Sequence, residues 1–171
     1  MSRRPSLTAA AAGAIAWAGL AGPVHAQNVA PAVPAAPALV SAVDVDRIAT
    51  LIREAGFKAV IDKTDRGNPV IDSAAEGANF SIYFTECDNG ADCWSIHYVS
   101  SFTLRTPVTT ETLNDWNRRR TIGQASRLDD GAAQIAHYQT LRHGVTEANF
   151  LYMFEQWRIA LRDYMGHIGF R

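Results

Sequence analysis

Apolar residues recur along the chain first at the spacing of a helix and then at the spacing of strands. An amphipathic helix is predicted by four apolar positions, Val45, Ile48, Ala49 and Ile52. Two short strand-like runs follow at residues 57–62 and 69–73, with the turn residues 65–68 between them. Strict alternation over 78–86 and 93–104 then predicts two longer strands, each with one buried and one wetter face. The buried face of the second strand is assigned to Trp94, Ile96, Tyr98 and Phe102.

The second half of the chain repeats this change of period. A second helix, capped by a threonine, is followed by two strand runs at residues 124–128 and 133–142. Asp129-Asp130-Gly131 joins these runs and is typical of a hairpin turn. Thr146 begins the last helix, and its apolar stripe is predicted to be core: Phe150, Met153, Phe154, Trp157, Leu161, Tyr164 and Ile168. The order α-β-β-β-β-α-β-β-α, with strands adjacent in sequence, predicts an α+β domain with an antiparallel sheet and packed helices.

A leader and a linker precede the predicted domain, which spans residues 44–171. Residues 1–26 combine two arginines, a short apolar stretch and a small-residue exit, the pattern of a secretory signal peptide. The apolar stretch of about 14 residues is shorter than the roughly 20 that cross a bilayer, so no stable membrane insertion is expected after cleavage. Residues 2–7 also resemble in part a twin-arginine signal, and both export routes stay open. Residues 27–43 are rich in proline and alanine and predict a linker. The mature protein is therefore expected in the periplasm or outside the cell.

Charge excludes one class of partner and leaves another open. The chain has 16 Lys+Arg and 17 Asp+Glu, a formal net charge of −1, so no nucleic-acid partner is expected. Arg118, Arg119 and Arg120 nevertheless form a basic run at the end of the second helix. This run either compensates the negative end of the helix or serves as a docking patch for an acidic protein partner.

The two cysteines, Cys87 and Cys93, flank a turn between the two best-defined strands. An exported protein folds in an oxidising compartment, and a hairpin brings its strand ends side by side, so a structural disulfide is predicted. Redox catalysis is the alternative, although the usual Cys-x-x-Cys spacing at a helix start is missing.

The sequence contains no recognisable catalytic, metal-binding or cofactor-binding pattern. Four histidines lack the i, i+4 helical spacing that places two imidazoles on one metal, and they are interpreted as ordinary surface or sheet residues: His97, His137, His143 and His167. No serine lies in a Gly-x-Ser-x-Gly elbow, no glycine-rich phosphate loop occurs, and the acidic residues cannot be paired from sequence. No cofactor, metal or catalytic residue is therefore expected.

Five short motifs are spread over residues 44–168: Asn68-Pro69-x-Ile71-x-Ser73, Phe80-x-Ile82-x-Phe84 leading into Cys87, Cys93-x-Ser95, Leu113-Asn114-x-Trp116-Asn117 and Gly144-Val145-Thr146. Together with the aromatic last helix, they resemble the YbjN-domain family of bacterial proteins in its exported, cysteine-bearing form. The resemblance implies a fold similar to type III secretion chaperones, often homodimeric. It also implies a regulator of sensory transduction, a description that names no catalytic residue. Ile122, where the family often has an aromatic residue, and the short 129–131 turn depart from the family pattern.

Asn114, Trp116 and Asn117 form the most specific of these motifs, and their chemistry favours a structural role. Trp116 is a large apolar anchor on the inner face of the second helix. Asn117 is predicted to be buried beside Leu113, where its amide needs backbone partners. Both residues would pin the helix to the sheet, with Asn114 assisting from the flank. Ligand binding by the three residues is the alternative.

Three functions remain compatible with these patterns. The favoured one is a non-enzymatic exported binding module, regulatory or chaperone-like, because of the family resemblance and the missing catalytic pattern. An accessory structural subunit of a periplasmic complex would instead form a large permanent interface. An uncharacterised hydrolase that uses acidic residues with His97 or His137 would need a deep pocket that perturbs the pKa of one of them.

Overall fold

The computed structural model of the protein describes residues 38–170. The predicted signal peptide, residues 1–26, and most of the predicted linker lie outside the described residues. The elements in chain order are β1 (Leu39–Val40), α1 (Val45–Glu54), β2 (Val60–Lys63), β3 (Pro69–Ala75), β4 (Ala78–Thr85), β5 (Ser95–Phe102), α2 (Thr110–Arg119), β6 (Gln124–Arg127), β7 (Ala133–Thr140), β8 (Val145–Thr146) and α3 (Glu147–Ile168). The α+β class and the predicted order of nine elements are confirmed, with the two-residue strands β1 and β8 as additions.

Six strands form one antiparallel sheet in the order β2-β3-β4-β5-β7-β6. Ile82 of β4 pairs with Tyr98 of β5, which in turn pairs with His137 of β7. Residues 129–131 lie in the turn between β6 and β7, as the hairpin signal predicted. Because β7 pairs with β5, β6 is left at the outer edge of the sheet, where α2 packs against it.

One face of the sheet carries the core. Phe80, Ile82 and Phe84 of β4 are buried there, and α3 packs over them. The Trp157 ring of α3 is fully buried, with its centroid 5.8 Å from that of Phe80 and 5.4 Å from that of Tyr98. Most of the predicted stripe of α3 is buried: Phe150, Phe154, Trp157, Leu161 and Tyr164. Met153 and Ile168 are half-buried. The helices α1 and α2 contribute to the same core cluster.

Residues 39–42 belong to the fold, although the linker was predicted to continue to residue 43. Leu39–Val40 pairs with Val145–Thr146, and the Val40 and Ala42 side chains are each 1% exposed. A strand of two residues is too short to show an alternating pattern, so the composition alone suggested linker. The start of α1 is fixed just beyond, where the Asp44 carboxylate accepts a hydrogen bond of 2.9 Å from the backbone N–H of Arg47.

Trp94 lies outside the core, contrary to the prediction. It is 44% exposed, and its indole stacks on the guanidinium of Arg142 at 3.8 Å. The strand begins one residue later, at Ser95, and the Trp94 carbonyl accepts a hydrogen bond of 2.9 Å from the N–H of Leu141. The alternating sequence pattern therefore includes Trp94, one position before the first residue of the strand.

The opposite face of the six-stranded sheet, which we call the open face, is formed by the alternate residues of each strand. In the three central strands, its residues are mostly small or uncharged: Asn79, Ser81, Tyr83, Thr85, Ser95, His97, Val99, Ser101, Gln134, Ala136, Tyr138 and Thr140. Tyr83, His97 and Tyr138 are direct cross-strand neighbours and form one row across three strands. An antiparallel sheet can leave such a face to solvent because its turns need no covering helices.

Candidate functional site

Two side chains of α2 bind the backbone of the edge strand β6 and of the residue before it. The indole N–H of Trp116 donates a hydrogen bond of 2.6 Å to the carbonyl of Gly123. The amide of Asn117 makes two hydrogen bonds to Ala125, donating to its carbonyl at 3.0 Å and accepting from its N–H at 2.8 Å. Asn117 therefore satisfies the outer backbone groups of β6 in the way a neighbouring strand would. Its side chain remains exposed, whereas burial was predicted.

The local sequence makes this contact possible. Thr109 caps α2 by accepting a hydrogen bond of 3.2 Å from the N–H of Thr112, which fixes the start of the helix. Gly123 has a φ of +82°, in the left-handed region that favours glycine, and a Cβ there would lie 2.5 Å from Cδ1 of Ile135 in β7, so another residue would strain the chain just before β6. Asn114 is exposed and takes no part in the contact. The structure thus brings together two of the three residues of the motif.

The arginines predicted as a docking patch lie on the outer side of α2. The side chains of Arg118 and Arg119 are 69% and 73% exposed, and both contact one oxygen of Asp115, at 3.3 and 3.0 Å. Arg120 pairs with Asp163 of α3 at 3.2 Å and lies 5.2 Å from the centroid of the Trp116 ring.

Arg162 of α3 also contacts Asp163, at 3.1 Å. Four guanidinium groups therefore share two carboxylates. We call Arg118, Arg119, Arg120 and Arg162 the arginine surface. Shallow cavities of about 280, 360 and 200 Å³ border it, between α2 and α3. Surface ion pairs of this kind each contribute only about 0–1 kcal/mol to stability, so their cations can exchange partners at little cost.

Cys87 and Cys93 lie at disulfide distance, with 2.11 Å between the sulfurs. The loop between them contains a tight turn in which Asp88 and Ala91 exchange backbone hydrogen bonds of 2.8 and 2.9 Å. Asn89 and Gly90 have φ values of +47° and +80°, as a two-residue hairpin turn requires. The Cys93 side is buried, so the pair lies against the core rather than in an open reactive cleft.

A hydrogen-bonded cluster beside this loop was not predicted. Glu86 accepts hydrogen bonds from the hydroxyls of Ser95, at 2.6 Å, and Tyr138, at 3.2 Å, and the two hydroxyls lie 2.7 Å apart. Ser95 is fully buried. Alternation placed Ser95 on the open face, but only the pairing of β5 with β7 brings Tyr138 to it, and sequence order does not reveal that pairing. The cluster ties three strands together near the disulfide.

The histidines occupy separate environments. Burial lowers the pKa of His97, and burial together with the nearby His97 charge lowers the pKa of His137. The two lie on neighbouring strands but opposite faces, because His97 pairs with Tyr138 and His137 pairs with Tyr98. His167 lies on α3, with its Nε2 2.8 Å from the carbonyl of Thr112. Within residues 38–170, no group of three or more His, Cys, Asp or Glu side chains is placed to hold a metal ion.

Comparison with known proteins decides the family. The family model described as "YbjN: Putative bacterial sensory transduction regulator" matches residues 44–170, most of the chain. The chain belongs to the YbjN family. No curated protein matches it. Among solved structures, it is similar to "Crystal structure of YbjN, a putative transcription regulator from E. coli", with 14% identity over 76% of this chain and 96% of that one and a TM-score of 0.46.

The resemblance inferred from the sequence motifs is thereby confirmed. The description of the YbjN family is that of a regulator and names no enzyme activity. The described part of this YbjN domain contains no helix both long and apolar enough to span a membrane.

Proposed function

We propose that this YbjN-family protein is a non-enzymatic, exported regulator that acts by binding a protein partner through the arginine surface. The arginine surface itself carries the proposal, because its four exposed guanidinium groups share only two carboxylates within residues 38–170. Guanidinium groups pair with carboxylates in bidentate geometry, and an acidic segment of a partner would meet donors that Asp115 and Asp163 leave free.

The position of the surface supports binding rather than a purely structural role. The negative end of a helix carries about half an elementary charge, which a single cation in the last turn of α2 already compensates. Here three consecutive arginines and a fourth from α3 converge, and the two most exposed of them, Arg118 and Arg119, contact only Asp115 within residues 38–170. The cavities between α2 and α3 offer room for side chains of a partner.

Export is supported by two features of the sequence. Residues 1–26 have the pattern of a signal peptide, and the only two cysteines lie at disulfide distance. Disulfides persist in the periplasm and outside the cell, whereas cytosolic thiols are kept reduced. The regulator would therefore act on an extracytoplasmic partner, as the favoured alternative to an accessory structural subunit.

A fluorescein-labelled poly-L-glutamate peptide tests the binding proposal. We expect it to bind the mature protein, to dissociate as salt increases, and to lose most of its affinity in the variant Arg118→Ala/Arg119→Ala. Arg66→Ala/Arg105→Ala is the matched control, because these two exposed arginines lie on other parts of the chain. Equal binding by both double variants would contradict the proposal.

A further inference from the structure

A second candidate site lies on the open face and is independent of the arginine surface. A cavity of about 430 Å³ lies over β3, β4 and β5, and the side chains pointing into it include Asp72, Asn79, Ser81, Tyr83 and Ser101. We call these five residues the Tyr83 pocket. The sheet register fixes their arrangement, because Asp72 pairs with Ser81 and the other three occupy the neighbouring rows of the open face.

The hydrogen-bonding groups of the pocket include both donors and acceptors. The Ser81 hydroxyl donates to one oxygen of Asp72 at 2.7 Å, which leaves its own oxygen as an acceptor. The Ser101 hydroxyl accepts from the Gln134 amide at 3.2 Å, which leaves its hydrogen as a donor. Among the described residues, no hydrogen bond reaches the second carboxylate oxygen of Asp72 or the side-chain amide of Asn79. The pocket therefore presents both free donors and free acceptors within a short distance.

The lining also limits the charge of a ligand. In the part of the chain that the structure describes, Asp72 is the only acidic and Lys58 the only basic residue that borders the cavity, so an anion would face a carboxylate with a single compensating cation. An apolar ligand would remove Asp72 and Asn79 from water without offering them partners, which is costly. A neutral ligand with hydroxyl groups avoids both costs because each hydroxyl donates and accepts.

Tyr83 supplies a flat apolar surface beside these polar groups. Its ring is exposed at the edge of the pocket, and the row that contains it continues to His97 and Tyr138. An aromatic face next to hydrogen-bonding side chains suits a ring that is apolar on its faces and polar at its rim. We propose that the Tyr83 pocket binds a neutral polyhydroxylated ring, that is, a sugar residue of a glycan.

Amide chemical shifts in ¹⁵N-labelled mature protein test this proposal. The probes are maltotriose, cellotriose and N,N′,N″-triacetylchitotriose, each titrated into the millimolar range. We expect at least one of the trisaccharides to change the amide chemical shifts of β3, β4 and β5 in a saturable way. Tyr83→Ala should weaken that binding about tenfold, the change that the loss of one aromatic contact of about 1.4 kcal/mol produces. Asp72→Asn should weaken it as well, since it replaces a free acceptor with a donor.

Tyr152→Ala is the matched control, since it removes an exposed tyrosine ring of α3 that does not line the pocket. Its affinity for the trisaccharide should equal that of the parent. Absence of saturable shifts with all three trisaccharides would overturn the proposal. So would binding that Tyr83→Ala leaves intact, or binding that Tyr152→Ala weakens as much as Tyr83→Ala does. Circular dichroism spectra and melting curves show whether each variant is folded. If Tyr83→Ala does not fold, Asp72→Asn still tests whether the pocket binds the trisaccharide.

Discussion

Replacing Trp116 tests whether the contact between α2 and β6 holds the domain together. The indole is 2% exposed, and its centroid lies 5.1 Å from the Tyr164 ring and 5.6 Å from the His167 ring. Trp116→Ala removes this packing and leaves a cavity, which costs about 3–5 kcal/mol for a buried tryptophan. Because domains are typically stable by about 5–15 kcal/mol, this single change would remove a large fraction of the total.

Trp116→Phe separates packing from hydrogen bonding. The phenyl ring keeps much of the packing, but the Gly123 carbonyl loses its 2.6 Å hydrogen bond. A buried polar group left without a partner costs about 1–3 kcal/mol, so this variant should lie between the parent and Trp116→Ala.

Urea denaturation followed by far-ultraviolet circular dichroism measures the free energies of unfolding of the parent, Trp116→Phe and Trp116→Ala. Trp94→Ala is the matched control, because that tryptophan is largely exposed and loses chiefly its contact with Arg142, worth about 0.5–1 kcal/mol. If Trp116→Ala unfolded at the same urea concentration as the parent, the conclusion that Trp116 anchors α2 would be wrong.

Three further predictions concern the edge strand, the cysteines and pH. Asn117→Ala should lower the free energy of unfolding by about 1–2 kcal/mol and speed hydrogen exchange at Ala125; unchanged exchange there would contradict the proposed edge contact. Cys87→Ser/Cys93→Ser should cost about 2 kcal/mol, measured against the oxidised parent in urea, since the closed loop is short; equal stability would show that the pair is not formed in solution. Burial depresses the pKa of His137 below its usual 6.5, so the unfolded chain binds more protons and stability should fall as pH drops below about 6.5. Urea midpoints measured above and below about pH 6.5 should show this fall, and His137→Gln should make it smaller. An unchanged pH dependence in the variant would show that His137 does not cause it.

Local patterns predicted most elements because they depend on neighbouring residues. The alternation of β4 and the aromatic stripe of α3 could be read directly, since burial on one face repeats every second or every third to fourth residue. The two-residue strands β1 and β8 escaped prediction because their pairing joins residues more than a hundred positions apart. Trp94 was misplaced because a run of apolar residues does not reveal where a strand ends.

The candidate sites depended more on strand order than on pattern. The arginine run was visible in sequence, but its partner Asp163 and the fourth arginine, Arg162, come from α3 and required the packing of two helices. Similarly, Asp72 and Ser101 lie on strands that flank β4, and only the register shows that both border one cavity. Spacing along the chain carries no signal for such convergence.

Side-chain hydrogen bonds at both edges of the six-stranded sheet favour partner binding away from those edges. An open edge presents unpaired backbone groups that another chain can pair with. At β6, Asn117 occupies both backbone groups of Ala125. At the other edge, Arg53 donates two hydrogen bonds to the carbonyl of Ala59 just before β2, and the Asp62 carboxylate accepts from the N–H of Lys63. Because side chains already satisfy these groups, strand addition at Ala125, Ala59 or Lys63 would first have to break hydrogen bonds, whereas the arginine surface and the Tyr83 pocket offer groups that no described residue occupies.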